Sequence, residues 1–166
     1  AQLSRMKLEP IQMDSEGMIP ESLEAMCKKH PIKGIYLMPN MQSPTAAVMS
    51  TERKQAIADI IVRYGLLLIE DDIYNFTNLK DRTALSALVP EHGIFICGIS
   101  KVFFPGLRSA LALVPERFWH KFTQTLTSTV WMAPPLNAEL VAAFIESGAA
   151  AEMINSKRQV IAHRLQ

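Results

Sequence analysis

Leu66-Leu67-Leu68-Ile69-Glu70-Asp71-Asp72-Ile73-Tyr74 drives four apolar residues straight into three acids. A run this short, apolar without interruption, reads as a strand buried on both faces. The acids then stand at its carboxyl end. Just upstream, Ile57, Ile60, Ile61 and Tyr64 repeat at i, i+3, i+4, i+7, which predicts a helix. Ser50 is its N-cap and Gly65 its stop.

The same alternation extends in both directions. Gly34-Ile35-Tyr36-Leu37-Met38 predicts a buried strand that ends at Pro39 and opens into the polar loop Asn40–Thr45. Before it, a helix begins near Pro20 with Leu23, Met26 and Cys27 on one face. Lys28, Lys29 and His30 suit its negative end, and Pro31 stops it. Leu8–Asp14 alternates weakly and is expected to form a short strand. Downstream, Ile94-Phe95-Ile96-Cys97 ends at Gly98, and Ala110–Val114 is a further apolar run. After Pro115 the pattern is helical, broken near Met132–Pro135. One helix carries Leu136, Leu140, Val141 and Phe144 and ends at Gly148. The last starts near Ala150 and is cut at Gln166 in mid-pattern. Strands alternating with helices predict an α/β fold, a three-layer αβα arrangement around a mostly parallel sheet. Ligands in such sheets sit at the carboxyl ends of the strands. Asn40–Thr45, Glu70–Tyr74 and Gly98–Lys101 all fall at such ends.

Composition narrows the classes. With 166 residues, 49% hydrophobic and 20% charged, the chain is globular material with enough apolar surface for a core. A net charge of +1 offers no basic footprint for nucleic acid. Cys27 and Cys97 are the two cysteines and lack metal-site spacing, which fits a reducing cytoplasm. The longest apolar runs are well below the roughly 20 residues that span a bilayer. Gly93 and Gly98 have P-loop spacing, but Ile99 stands where the lysine belongs. No GxGxxG or HExxH is present.

Three segments, in order, resemble the signature of the fold-type I pyridoxal-phosphate-dependent aminotransferases (class I/II). Pro39-Asn40-Met41-Gln42-Ser43-Pro44-Thr45 is similar to the family's PNxxNPTG loop. Ile69-Glu70-Asp71-Asp72-Ile73-Tyr74 is similar to its DxxY motif. Ser100-Lys101-Val102-Phe103-Phe104-Pro105-Gly106-Leu107-Arg108 is similar to its SKxxxPGLR segment. The resemblance implies pyridoxal 5'-phosphate as cofactor. It makes Lys101 the lysine that condenses with the cofactor's aldehyde and later moves the α-proton. Asp71 would keep the pyridine nitrogen protonated, with Asp72 as the rival one residue on. Tyr74 would reach the phenolic oxygen. Arg108, with Ser100, would hold the phosphate, and the first loop would bring Asn40 and Ser43 to the cofactor. The ordinary alternatives are a solvated lysine, an aspartate capping its turn, a half-buried tyrosine and a surface arginine.

The chain departs from the pattern at four places. Ser43 replaces the asparagine before Pro-Thr, and Ala46 the glycine after it. Gly98 replaces a hydroxyl residue three before the lysine, and Ala110 a glycine after Arg-x. With Thr127–Leu136, these features look closer to the aminotransferase-like effector domains of GntR/MocR-type bacterial regulators. Trp131 is expected at a core or interface, or against a neighbouring subunit's cofactor region. On this resemblance residues 1–166 are a partial large domain whose last helix, from about 150, leads toward a small domain. The phosphate glycine loop, the ring-stacking aromatic, the carboxylate-clamping arginine and a winged-helix DNA-binding domain would lie outside it. Little transaminase activity is expected of this piece alone. The expected partners are an amino acid or amine and a second subunit, with DNA bound only through a domain absent from this chain and no membrane. Three functions follow from the resemblance: effector-sensing domain of a regulator, part of an aminotransferase acting on an amino acid and a 2-oxo acid, or a degenerate dimerisation scaffold.

Overall fold

A computed structural model describes residues 6–77 and 83–164. The chain ends at Ala1–Arg5 and at Gln166 lie outside them. The first expected strand is shorter than Leu8–Asp14. Only β1 (Met13–Asp14) pairs, antiparallel with β2 (Gly17–Met18). Pro10 has no N–H to give a ladder, and Asp14 Oδ1 already accepts the Glu16 N–H across the turn at 2.8 Å.

Helix α1 (Pro20–Lys29) starts on proline, whose fixed φ suits the first turn. Only Leu23 of its predicted face is fully buried. β3 (Gly34–Leu37) follows, then α2 (Thr51–Tyr64). Ser50 caps α2 as expected, its Oγ accepting the Arg53 N–H at 3.2 Å. Gly65 takes a left-handed conformation (φ 61°) at the other end, its N–H donating to the carbonyls of Ile61 and Val62. That turn feeds β4 (Leu67–Asp71). A short helix α3 (Leu85–Leu88) leads to β5 (Gly93–Gly98), and α4 (Ile99–Val102) follows at once. β6 (Ala110–Leu113), α5 (Glu116–Val130), α6 (Pro135–Glu146) and α7 (Ala149–Arg164) complete the fold.

The sheet order is β3-β4-β5-β6, with the first three strands parallel. β6 runs antiparallel to β5. The link Ile99–Ser109 is shorter than the roughly 12 residues a parallel crossover takes, so the chain turns back instead. All four β6 residues are exposed, and neither apolar cluster among the described residues includes one of them. The mostly parallel α/β architecture read from the sequence is the one the chain adopts.

The helices form two groups. Ile57 and Ile61 of α2, Leu23 of α1 and Leu85 of α3 pack with Ile35, Leu37 and Leu68 on one face of the sheet. Val141 of α6 and Ala150 of α7 pack with Ile99, Val102, Phe103 and Leu107 in a second cluster beyond the end of β5. Helix α5 contributes no buried residue, and Trp131 after it is 70% exposed. No helix among the described residues is long and apolar enough to cross a membrane.

Replacing Ser50 with alanine should lower stability by about 1 kcal/mol through loss of the α2 cap. A denaturant midpoint unchanged in Ser50→Ala would contradict that role.

Candidate functional site

The alternation of β4 sorts its acids. Leu68 and Glu70 point into the α2–α3 core, whereas Leu67, Ile69 and Asp71 point the other way and line a cleft that also reaches Ile35 and Leu37 of β3. Glu70 is fully buried and accepts the Leu85 and Ser86 N–H groups at 3.0 and 2.7 Å. It serves as the missing N-terminal cap of α3, whose own cap residue, Ala84, has no side-chain acceptor.

The cleft has a volume of about 1180 Å³ and takes in Ser43, Asp71 and Tyr74, three of the residues expected to meet a cofactor. Tyr36 of β3 lines it as well. Its phenol donates to Asp71 Oδ2 at 2.6 Å, while Asp71 Oδ1 accepts the Ile73 N–H at 3.3 Å. Tyr36 is opposite Ile69 in the ladder, so its side chain and that of Asp71 rise from one face of adjacent strands. Alternation within Gly34–Met38 was the signal that could have placed Tyr36 there.

Asn40 is turned into the protein. It is completely buried, and its Nδ2 donates to Asp72 Oδ1 at 3.1 Å. The Lys54 ammonium, on a residue only 5% exposed, donates to Asn40 Oδ1 at 2.6 Å and to the Thr83 carbonyl at 2.7 Å. A lysine, an amide and a carboxylate thus join α2, the first loop, the end of β4 and the approach to α3. Burial pushes the Asp72 carboxyl up from its usual range, and the like charge of Glu70 adds to that. Hydrogen bonds from Asn40 and Asn75 and the Lys54 charge pull the other way. Asp72 is therefore a buried structural partner, and Asp71 is the acid facing the cleft. Lys54 could have been suspected from its place on the stripe of Ile57, Ala58 and Ile61.

Ser43 is exposed at the tip of the first loop. Gln42 Oε1 accepts the Thr45 N–H at 2.9 Å and the Thr45 hydroxyl, and the Ala46 N–H donates to the Gln42 carbonyl at 2.7 Å. Ala46 takes φ 59°, the left-handed region where the family pattern has glycine. Gly98 has its own reason. A Cβ there would collide with the branched side chain of Ile73, which lines the cleft between Asp71 and Tyr74.

Ser100 and Lys101 sit on α4, at the carboxyl end of β5 and one strand over from Asp71. They do not line the cleft that holds Asp71. Ser100 is half-buried and Lys101 exposed. Lys157 of α7 donates to three carbonyls at the end of α4, Lys101 and Phe103 at 3.4 Å each and Val102 between them. That fastening was not legible beforehand. Arg108 is exposed in a left-handed conformation (φ 45°). The preceding Leu107 carbonyl accepts from Asn137 at 2.7 Å and from Ser109 at 2.9 Å, which holds the turn.

The chain matches the model of aminotransferase class I and II over residues 1–166. It belongs to that family. It is similar to the HTH-type transcriptional regulator YdeF of Bacillus subtilis, 37% identical over 166 residues, which is 100% of this chain and 36% of the relative. It is similar to 2-aminoadipate transaminase of Thermus thermophilus, 28% identical over 139 residues, 80% of this chain and 35% of the relative. Among solved structures, LysN, an α-aminoadipate aminotransferase of Thermus thermophilus complexed with N-(5'-phosphopyridoxyl)-L-leucine, superposes with a TM-score of 0.86 at 26% identity. That match covers 93% of this chain and 41% of LysN. The chain thus spans about a third of the length of the curated relatives it matches.

Two measurements probe this geometry. Lys54→Met leaves the Asn40–Asp72 pair buried without its cation, and should cost about 2–4 kcal/mol in chemical denaturation. A loss below about 0.5 kcal/mol, the size expected of an ordinary surface change, would show that the buried ammonium is dispensable. Partial burial of the hydroxyl first, then the bond to Asp71 and its charge, push the Tyr36 phenol up to about 12, although the residue as a whole is 57% exposed. The folded protein holds that proton more tightly than the unfolded chain, whose phenols titrate near roughly 10. The resulting stability is intact below about pH 10 and drains away toward pH 12. In Asp71→Asn the Tyr36 phenolate absorbance, isolated by difference from Tyr36→Phe, should appear at lower pH. An unchanged midpoint would contradict the bond.

Proposed function

We propose that this chain is the pyridoxal 5'-phosphate-binding core of the aminotransferase-like, effector-sensing domain of a GntR/MocR-type transcriptional regulator. The observation that carries the regulator reading is the 37% identity to an HTH-type regulator, which runs through the whole chain. The likeness to the transaminase is lower and covers 80%.

The donor set fits the cofactor. Asp71 offers a carboxylate to a ring nitrogen, Tyr74 a phenol to a phenolic oxygen, and Lys101 a primary amine to an aldehyde. Arg108 and Ser100 offer a guanidinium and a hydroxyl to a phosphate. Ser43 adds a hydroxyl from the first loop. These groups stand after β3, β4 and β5 or just before β6, at one end of neighbouring strands, where α/β sheets bind ligands. When bound, the cofactor supplies an electron sink for the bonds around the α-carbon of an amine. Asp71 would hold the proton on the ring nitrogen, and Lys101 would take and return a proton at the amine's α-carbon. Asn40 would act from beneath, by fixing the loop that carries Ser43.

The effector would be an amino acid or amine. DNA would be bound by a domain of the full-length protein outside residues 1–166. The protein would act as a homodimer in the cytoplasm, and the exposed apolar side chains Trp119, Leu126, Val130 and Trp131 support a further interface on or beside α5. The second reading, a working aminotransferase, is favoured by the fold agreement with LysN. Steady turnover of an amino acid and a 2-oxo acid by the full-length protein, without operator binding, would select it.

The cofactor reading is tested by absorbance. Added pyridoxal phosphate should give a new visible band that borohydride fixes to the protein. Lys101→Ala should lose both the band and the covalent label. A label that persists in Lys101→Ala would remove this lysine from its role.

A further inference from the structure

We infer that Tyr36, which no sequence motif singles out, is a positioning residue for the ring-nitrogen end of the candidate cofactor site, acting through Asp71. The inference rests on the cofactor reading above and assigns a residue that reading does not use.

The geometry carries it. Asp71 is the last residue of β4, where the ladder gives out and a carboxylate would otherwise swing on its own χ angles. Both of its oxygens are engaged from the protein side. Tyr36 donates to Oδ2 at 2.6 Å, and the Ile73 N–H donates to Oδ1 at 3.3 Å. The short bond is the one from Tyr36, and bonds to a carboxylate are about twice as strong as neutral ones. The longer one belongs to the turn that follows the strand. Tyr36 is itself fixed by the sheet, because its backbone is in register with Ile69, two residues before Asp71 on the neighbouring strand. The phenol therefore reaches Asp71 diagonally, from one strand to the next, within a cleft that both residues line.

A carboxylate has about four acceptor positions. Two donors from the protein leave room for a third from a ligand, and they fix the plane in which that ligand must approach. Among the described residues Tyr36 bonds to Asp71 and makes no hydrogen bond to Lys101, Ser100 or Arg108. On this inference its influence on a bound pyridine is confined to the ring nitrogen.

That confinement gives a sharp test in the full-length protein. Dissociation constants are measured for pyridoxal phosphate and for its analogue with carbon in place of the ring nitrogen, in wild type and in Tyr36→Phe. Tyr36→Phe should weaken pyridoxal phosphate about tenfold, one charged hydrogen bond's worth, and leave the carbon analogue within about twofold. Asp71→Asn should abolish the discrimination between the two ligands in either background. Equal weakening of both ligands by Tyr36→Phe would mean that it only loosens the fold, and the inference fails. No effect on either would likewise overturn it. The cofactor reading fails separately, if wild type binds neither ligand or binds both without dependence on Lys101.

Discussion

The ammonium of Lys54 has been taken out of water, and the loops at the carboxyl ends of the strands are arranged around the answer to that charge. An isolated buried lysine is costly, and no carboxylate of α2 reaches it in the hydrogen-bond pattern. Asp72 answers it through the amide of Asn40. One amide accepts a hydrogen bond from the cation and donates one to the anion, so each end of the side chain is used in its natural sense. Three segments far apart in sequence are held by it: α2, the loop after β3, and the end of β4. Loosening any member would leave a buried polar group short of a partner.

The second constraint is the period of two along β4. Glu70, Asp71 and Asp72 are consecutive acids with different surroundings. Glu70 turns inward and caps α3. Asp71 turns outward to the cleft. Asp72, one residue past the strand, donates its N–H to Ile96 and turns its side chain back beneath the loop. A single insertion here would exchange these roles, moving the buried acid to the cleft and the cleft acid to the core. The register with β5, Asp71 opposite Ile96, then fixes how far α4 and Lys101 lie from it along the sheet.

Much of this was legible in the sequence because local rules governed it. Helix α2 had its cap, its stripe and its glycine stop in view, and β4 had its apolar run. What was hidden depended on contacts between distant segments. Nothing local marks Lys157 as the donor to the α4 carbonyls, 55 residues from Val102. The exposure of β6 was missed because apolar residues normally signal burial, and neither apolar cluster of the described residues reaches this strand. Asn40 was read as a ligand contact from the loop it belongs to, yet its neighbours in space are Lys54 and Asp72. The motif names a loop, whereas the direction in which each of its side chains points is set by packing against distant segments.

The departures from the family pattern acquire physical content in the same way. Ala46 keeps the left-handed turn that a glycine would make without strain, so the loop's path is retained although roughly 1–2 kcal/mol of conformational cost is carried. Gly98 lacks the hydroxyl of the pattern, and the room it leaves is occupied by Ile73, whose branched side chain a Cβ at 98 would strike. The exchange puts a methyl-bearing surface beside the cleft where a polar group is usual. The framework at this end of the sheet has thus been kept while its polar lining has been thinned. On the proposed cofactor reading, the weight of binding would shift toward Lys101 and Asp71.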